Sequence, residues 1–167
     1  MDCLAELLRV RLKRPMWKNY LIGTARHQGQ ALHLVKPLTF MNRSGEIFPG
    51  LWSQATGGEE GLLVVCDTLD LPPGQCRLKR KGSSAGQKGL SSIIARLGRE
   101  EFLRMYIGIG RPPEREDVID YVLREPDSQE GELIEKAIRA AAEGILRLVV
   151  EEPEKVMNAL NQKRQGS

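Results

Sequence analysis

The chain is poor in cysteine and aromatic residues, and it has no long apolar run. Its three cysteines, Cys3, Cys66 and Cys76, are odd in number and form no C-x-x-C pair. That argues against a disulfide framework and a structural zinc site, and makes a reducing cytoplasm the expected setting. The longest purely aliphatic or thiol stretch is Leu62-Leu63-Val64-Val65-Cys66, far short of the roughly 20 residues a membrane helix needs. The first residues carry Asp2 and Glu6 and alternate apolar with basic side chains, which is no signal-peptide core. Aromatics make up 5% of the residues and none forms an RNP-like strand, so a base-stacking sheet of the RRM kind is not expected. His27 and His33 are the only histidines, and no Ser/His/Asp or Cys/His grouping stands out.

What remains is ordinary in amount and uneven in placement. With 167 residues, 41% hydrophobic and 28% charged, the chain suits one folded domain spanning 1–167. Residues 1–99 hold fifteen Lys and Arg against seven Asp and Glu, whereas residues 100–167 hold ten against fifteen. Eight basic residues and no acid lie between Glu6 and Glu46, and seven more lie between Asp70 and Glu100. Such acid-free runs produce a positive field suited to a polyanion, with affinity that falls as salt rises. Solvated helix faces are the competing explanation of a charge run.

Periodicity predicts a helix over 2–14 stopped by Pro15, then strands at 18–24 and 31–36 joined by the turn Arg26-His27-Gln28-Gly29. A short helix disturbed at Pro49-Gly50 follows, then a loop at 57–61 and a fully buried strand at 62–66. A strand at 75–80, a Gly/Ser loop at 82–89, a helix at 90–97 and a strand at 103–109 come next. Helices are expected at 118–123, at 129–150 stopped by Pro153, and at 154–163. Strands alternating with helices point to an α/β sandwich with a partly parallel sheet.

Two motifs tempt and fall short. The loop Gly82-Ser83-Ser84-Ala85-Gly86-Gln87-Lys88-Gly89 lacks the glycine spacing and the Lys-Ser/Thr ending of a nucleotide-binding P-loop. It could still offer helix N–H groups to a phosphate, or be a plain strand–helix connection. Asp67 and Asp70 without a histidine or third acid nearby are weak metal ligands. Asp67, following a buried strand, is either a turn aspartate or part of a ligand site beyond the strand ends.

Three stretches together resemble bacterial peptidyl-tRNA hydrolase. Pro37-Leu38-Thr39-Phe40-Met41-Asn42-Arg43-Ser44-Gly45 is similar to the family's P-x-T-F-M-N-x-S-G. Cys66-Asp67-Thr68-Leu69-Asp70-Leu71-Pro72-Pro73-Gly74 is similar to H-D-E/D-L-D-L-P-x-G and continues into Lys81–Leu90, where the family has K-G-x-x-G-G-H-N-G-L. Gly108-Ile109-Gly110-Arg111-Pro112 is similar to G-I-G-R-P, and Val156-Met157-Asn158 to the A-M-N of the last helix.

The resemblance implies a three-layer α/β/α sandwich around a mixed, partly parallel twisted sheet, and a metal-free, cofactor-free esterase that cleaves the ester between peptide and tRNA. It implies that Asp67 orients a base histidine and stabilises it by its charge, that Phe40 and Asn42 position the ester end, and that Arg77 and Lys79 meet tRNA phosphates. Lys88 stands where the family has a second substrate-positioning asparagine, and Gln87 where it has a histidine. An ammonium only donates, so it cannot copy an amide.

The family pattern also opens with a strand, G-N-P-G-x-x-Y and T-R-H-N, before the helix that here begins at Asp2. The expectation is a start codon downstream of the true one, unpaired backbone beside 62–66, and a monomer once that segment is restored. Ala25-Arg26-His27-Gln28-Gly29 imitates R-H-N-x-G but follows the first helix, so it is not expected to supply the base. The alternative function is a catalytically silent homologue that binds tRNA or another structured RNA.

Overall fold

The computed structural model describes residues 1–51, 61–113 and 117–162; the loop expected at 57–61 lies, apart from Gly61, outside the described residues. The chain divides into two compact units, Met1–Leu63 with Arg80–Leu103, and Val64–Lys79 with Arg104 onward.

The first unit begins with α1 (Asp2–Leu7), half the length that the apolar spacing suggests. The helix is closed at its C-terminus by Arg9, which takes a left-handed φ of 52°. Arg9 N–H then reaches Glu6 O and Val10 N–H reaches Ala5 O, at 3.0 and 2.9 Å. This is the paired closure that normally uses glycine. Released from the helix, the chain extends over Gly23, where an added Cβ would lie 3.0 Å from Leu12 and 3.2 Å from Val10. Lys13 pairs with Ile22 in an antiparallel bridge. The apolar residues of the expected second half thus pack on a strand instead of continuing a helical stripe.

Strands β1 (Tyr20–His27) and β2 (Gln30–Pro37) form an antiparallel hairpin, in register from Tyr20↔Pro37 to His27↔Gln30. Gln28 and Gly29 both take positive φ, 50° and 82°, as a two-residue hairpin turn matched to strand twist requires. The 3₁₀ helix η1 (Met41–Ile47) runs into α2 (Phe48–Leu51), and α3 (Lys88–Leu97) packs against η1. The approach is tightest at Gly45, whose N–H donates to Ser92 Oγ at 3.0 Å.

The second unit holds most of a three-stranded sheet with β5 (Glu101–Gly108) between β3 (Leu63–Thr68) and β4 (Cys76–Lys81). Leu103 N–H bonds Leu62 O and Ile109 N–H bonds Thr68 O, so β3 and β5 run parallel within a mixed sheet. Contrary to the fully buried strand expected, all six residues of β3 are only half-buried. A continuous apolar run suggests cover on both faces, but β3 is an edge strand among the described residues.

Helices α4 (Val118–Leu123), α5 (Ser128–Arg147) and α6 (Pro153–Gln162) complete this unit. Asp117 and Asp127 accept from helix N–H groups as N-caps of α4 and α5. α5 ends six residues before Pro153, which opens α6 rather than stopping α5. The missing N–H of proline costs nothing at a first helical turn. Gly144 lets α6 approach α5, since a Cβ there would sit 2.7 Å from Leu160 Cδ1. The Asn161 amide closes the β4 edge, accepting from Leu78 N–H and donating to Leu78 O, both at 3.2 Å.

Gly45→Ala tests the η1–α3 contact. Its Cβ would lie 2.2 Å from Ser92 O and 2.7 Å from Ser92 C, which are backbone atoms. The two elements must therefore separate, at a cost of about 1–3 kcal/mol. Urea unfolding should show that loss as a lower midpoint, whereas Ser44→Ala, which removes only a half-buried hydroxyl donating to Met41 O at 2.8 Å, should cost about 1 kcal/mol or less.

Candidate active site

In the first unit, Phe40 caps η1 from an extended conformation and is 79% exposed. Asn42, two residues on, is also exposed. Lys88, the first residue of α3, presents its ammonium to solvent. These three predicted residues are brought together by the neighbours between them. Gln87 Nε2 reaches Met41 Sδ at 3.7 Å, while its Oε1 accepts from Leu90 N–H at 2.7 Å. Gly89 is buried under Met41, where a Cβ would meet Met41 Cγ at 3.3 Å. Gln87 is thus both the N-cap of α3 and a strut to η1.

The Gly/Ser loop closes on itself as a turn ahead of α3. Ala85 and Gly86 take positive φ, and the turn is closed by Gln87 N–H on Ser84 O at 2.9 Å. That bond and the Gln87 cap on Leu90 use N–H groups that a cradle would turn outward.

In the second unit, Asp67 sits near the end of β3, half-buried. The turn after it is fixed by the third sequence motif. Ile109 N–H bonds Thr68 O and Gly110 N–H bonds Leu71 O, at 3.1 and 2.8 Å. Gly108 passes so close that a Cβ would lie 2.3 Å from Pro72 O. Asp70, considered above as a metal ligand, accepts from Arg111 at 2.7 Å. Tyr121 on α4 donates to Ile109 O at 2.6 Å, holding the same turn from the other side.

Arg77 and Lys79 alternate with the buried Cys76 and Leu78 along β4 and so share its opposite face. Lys79 is exposed, with Nζ 5.7 Å from the centre of the Tyr106 ring on β5. Arg77 is half-buried. Asn161 grips the strand at Leu78, between these two basic residues.

His27 is the last paired residue of β1 at the hairpin tip, and His33 Nδ1 lies 3.0 Å from Thr24 Oγ1 across the strands. The hairpin accounts for both. No group of three or more metal-ligating side chains occurs among the described residues.

A family model described as peptidyl-tRNA hydrolase matches residues 1–167. The peptidyl-tRNA hydrolase of Geobacillus kaustophilus is 41% identical over 161 residues, covering 96% of this chain and 86% of its own length. That of Bacillus subtilis is 39% identical, with 97% and 86% covered. The crystal structure of peptidyl-tRNA hydrolase from Acinetobacter baumannii superposes with a TM-score of 0.84 at 32% identity, over 96% of this chain and 81% of that one. The chain belongs to the peptidyl-tRNA hydrolase family.

The α/β class expected from the strand–helix alternation is the fold of these structures. The family's motifs also acquire physical reasons. The last glycine of F-M-N-x-S-G is the η1–α3 contact, and G-I-G-R-P supplies the glycines and arginine that clamp the D-L-D-L-P turn. Sequence reasoning did not anticipate Gln87 as a cap, Asn161 on the β4 edge, or Arg104. Arg104 is a fully buried charged side chain on β5. Only the S/T/N/D preference at caps hinted at such positions, and glutamine is outside it.

Cys66, beside Asp67, is not a nucleophile. Burial chiefly, helped by the negative charge of Asp67 and opposed by Arg104, pushes its thiol from 9.0 up to about 12. The thiolate is therefore absent at neutral pH. Below the ordinary value of 9.0 both folded and unfolded chains keep this thiol protonated. Between that value and about 12 only the unfolded chain ionises it, so stability falls as pH rises through this window. Around pH 10 the loss should be on the order of 1 kcal/mol. Cys66→Val should lose less stability than the wild type between about pH 8 and 10, as denaturant midpoints at each pH would show.

Proposed function

We propose that the chain hydrolyses the ester linking a peptide, or an N-blocked aminoacyl group, to tRNA. The carrying observation is a whole-chain family match joined to an η1–α3 platform that holds Phe40, Asn42 and Lys88 out to solvent. An ester at the end of a polyanion needs two things from a protein. It needs groups that fix the reacting carbonyl, and a positive surface for the rest of the molecule.

Asn42 supplies the first requirement. Its amide donates to one oxygen and accepts from another, so it fixes an orientation rather than merely attracting charge. Phe40 offers an apolar ring beside it. Lys88 contributes a point charge at the start of α3, suited to a phosphate or a carbonyl oxygen. Arg77, Lys79 and the acid-free segment that surrounds them supply the second requirement.

The chemistry is attack of a base-activated water on the ester carbonyl. The peptide carboxylate is released, and the proton goes to the ribose oxygen of the leaving tRNA. Asp67 is a positioning residue, accepting from one ring nitrogen of the base imidazole so that the other faces the water. In the family pattern that imidazole belongs to the T-R-H-N motif ahead of the first helix. No Ser or Cys nucleophile is needed, in keeping with the protonated Cys66.

Asp67→Asn should lower kcat for release of blocked aminoacyl groups from tRNA by on the order of 10²-fold or more, with tRNA affinity unchanged. Full turnover with only a lowered melting temperature would make Asp67 a turn residue. A protein that binds tRNA but never turns over would instead favour a silent RNA-binding homologue.

The basic strand calls for a different measurement. Arg77→Glu and Lys79→Glu should weaken binding of every tRNA species alike, and each lost phosphate contact should reduce the slope of log K against log salt by about 0.9 or less. A slope unchanged in both variants would take β4 out of the interface.

A further inference from the structure

Pro15, Met16, Trp17 and Lys18 form a tight turn in the first unit, closed by Lys18 N–H on Pro15 O at 3.2 Å. Trp17 is 93% exposed and Met16 80%. Such side chains gain no burial energy from folding, and neighbouring exposed apolar residues are a surface that a partner can cover. The backbone adds to the oddity. Trp17 has a φ of 63°, a left-handed conformation that glycine or asparagine occupies without difficulty and a bulky residue does not. Strain of this kind, at an exposed aromatic, is a pointer to function.

The turn is not loose. Arg14 Nε donates to Lys18 O at 2.8 Å and Arg14 Nη2 to Asn19 Oδ1 at 3.2 Å, so the exit from the turn is held by a cationic side chain. Asn19 O in turn accepts from Leu38 N–H at 2.9 Å. That bond places the turn's stem beside the strand end leading to Phe40. Trp17, Met16, Leu38 and Phe40 are all exposed apolar residues of this unit. They lie within the stretch from Glu6 to Glu46 that has eight basic residues and no acid. Aromatic faces set among cations are the chemistry that holds single-stranded nucleic acid, where bases stack and phosphates pair with charge.

We propose that Trp17 is a stacking platform for an unpaired nucleobase at the acceptor end of tRNA. This rests on the tRNA reading above and adds to it a contact made through a base face rather than a phosphate. Stacking is tolerant of base identity, so it suits an enzyme that must accept every tRNA. Its location on a rigid turn, held by Arg14, means that little ordering is required on binding.

The test uses the full chain with two RNAs: a deacylated tRNA, and the same tRNA trimmed of its unpaired 3′ nucleotides. The wild-type protein should bind the trimmed RNA more weakly. Trp17→Ala should bind the intact tRNA about tenfold more weakly than wild type, Trp17→Phe should recover most of that loss, and both should match wild type on the trimmed RNA. The salt slope should be unchanged in Trp17→Ala, because no phosphate contact is removed. Trp17→Gly suits the left-handed backbone, so its melting temperature should stay level or rise while its affinity falls like that of the alanine variant. Equal affinity of wild type and Trp17→Ala for intact tRNA, or an equal loss on both RNAs, would overturn the proposal alone. A wild-type protein without affinity for either RNA would remove the tRNA reading and this inference with it.

Discussion

At Gly45 two backbones come as close as a missing side chain allows, and the first unit's platform depends on that approach. The N–H of Gly45 bonds Ser92 Oγ, and any Cβ would fall on the Ser92 carbonyl. With η1 fixed on α3 in this way, Met41 comes over Gly89 and within reach of Gln87. Phe40 and Asn42 are exposed on either side of Met41, which is itself partly exposed while its thioether leans on Gln87 and its carbons on Gly89. An exposed pair of side chains on a short 3₁₀ helix would ordinarily be poorly ordered. Here the precision comes from the contacts behind them.

The second unit solves a similar problem with a different device. Its turn after Asp67 is rich in proline, which fixes φ but gives no N–H with which to tie the turn down. The tie comes from outside the turn, through the N–H groups of Ile109 and Gly110, the Arg111–Asp70 pair and the Tyr121 hydroxyl on Ile109 O. The exposed Arg111–Asp70 pair contributes little stability by itself, since surface ion pairs are worth about 0–1 kcal/mol. Its effect is to fix which way the turn faces. Asn161 plays a similar part for β4, satisfying the outward backbone groups of Leu78 in the middle of the edge strand that carries Arg77 and Lys79.

Much of this was legible in the sequence where a residue type has one physical use. The helix at 118–123 falls where periodicity places it, and the two hairpin strands exist as expected, although β1 runs from Tyr20 to His27, so that Arg26 and His27, expected in the turn, are paired strand and only Gln28 and Gly29 turn the chain. The failures have equally particular causes. Apolar spacing at 2–14 continues past Leu7, but Arg9 takes the left-handed closing position, which no pattern of apolar residues announces. The run at 62–66 has the composition of a central strand, while β3 lies at an edge; composition reports apolarity and not neighbours. Arg104 counts as one more charge in the sequence and is fully buried in the fold. The site residues Phe40, Asn42, Asp67, Arg77, Lys79 and Lys88 came from resemblance. Spacing alone left Asp67 open between a turn and a ligand site.

The departures at Gln87 and Lys88 have a physical consequence for how this chain would hold an RNA. The Gln87 carbonyl oxygen serves the α3 N-terminus, and its amide nitrogen faces Met41, so this side chain is committed to the protein. Lys88 beside it brings a full charge to a helix start whose partial charge is already positive. The combination is unfavourable for the free protein and is relieved when an anion arrives. Under the proposed function, recognition at this corner would rest on a cation, which responds to charge and is screened by salt, rather than on an amide, which specifies direction. Direction would then come from Asn42 and from apolar faces, which salt does not screen. A surface with few aromatics can meet that demand if the ones it has are placed at the end of the substrate rather than spread across a sheet.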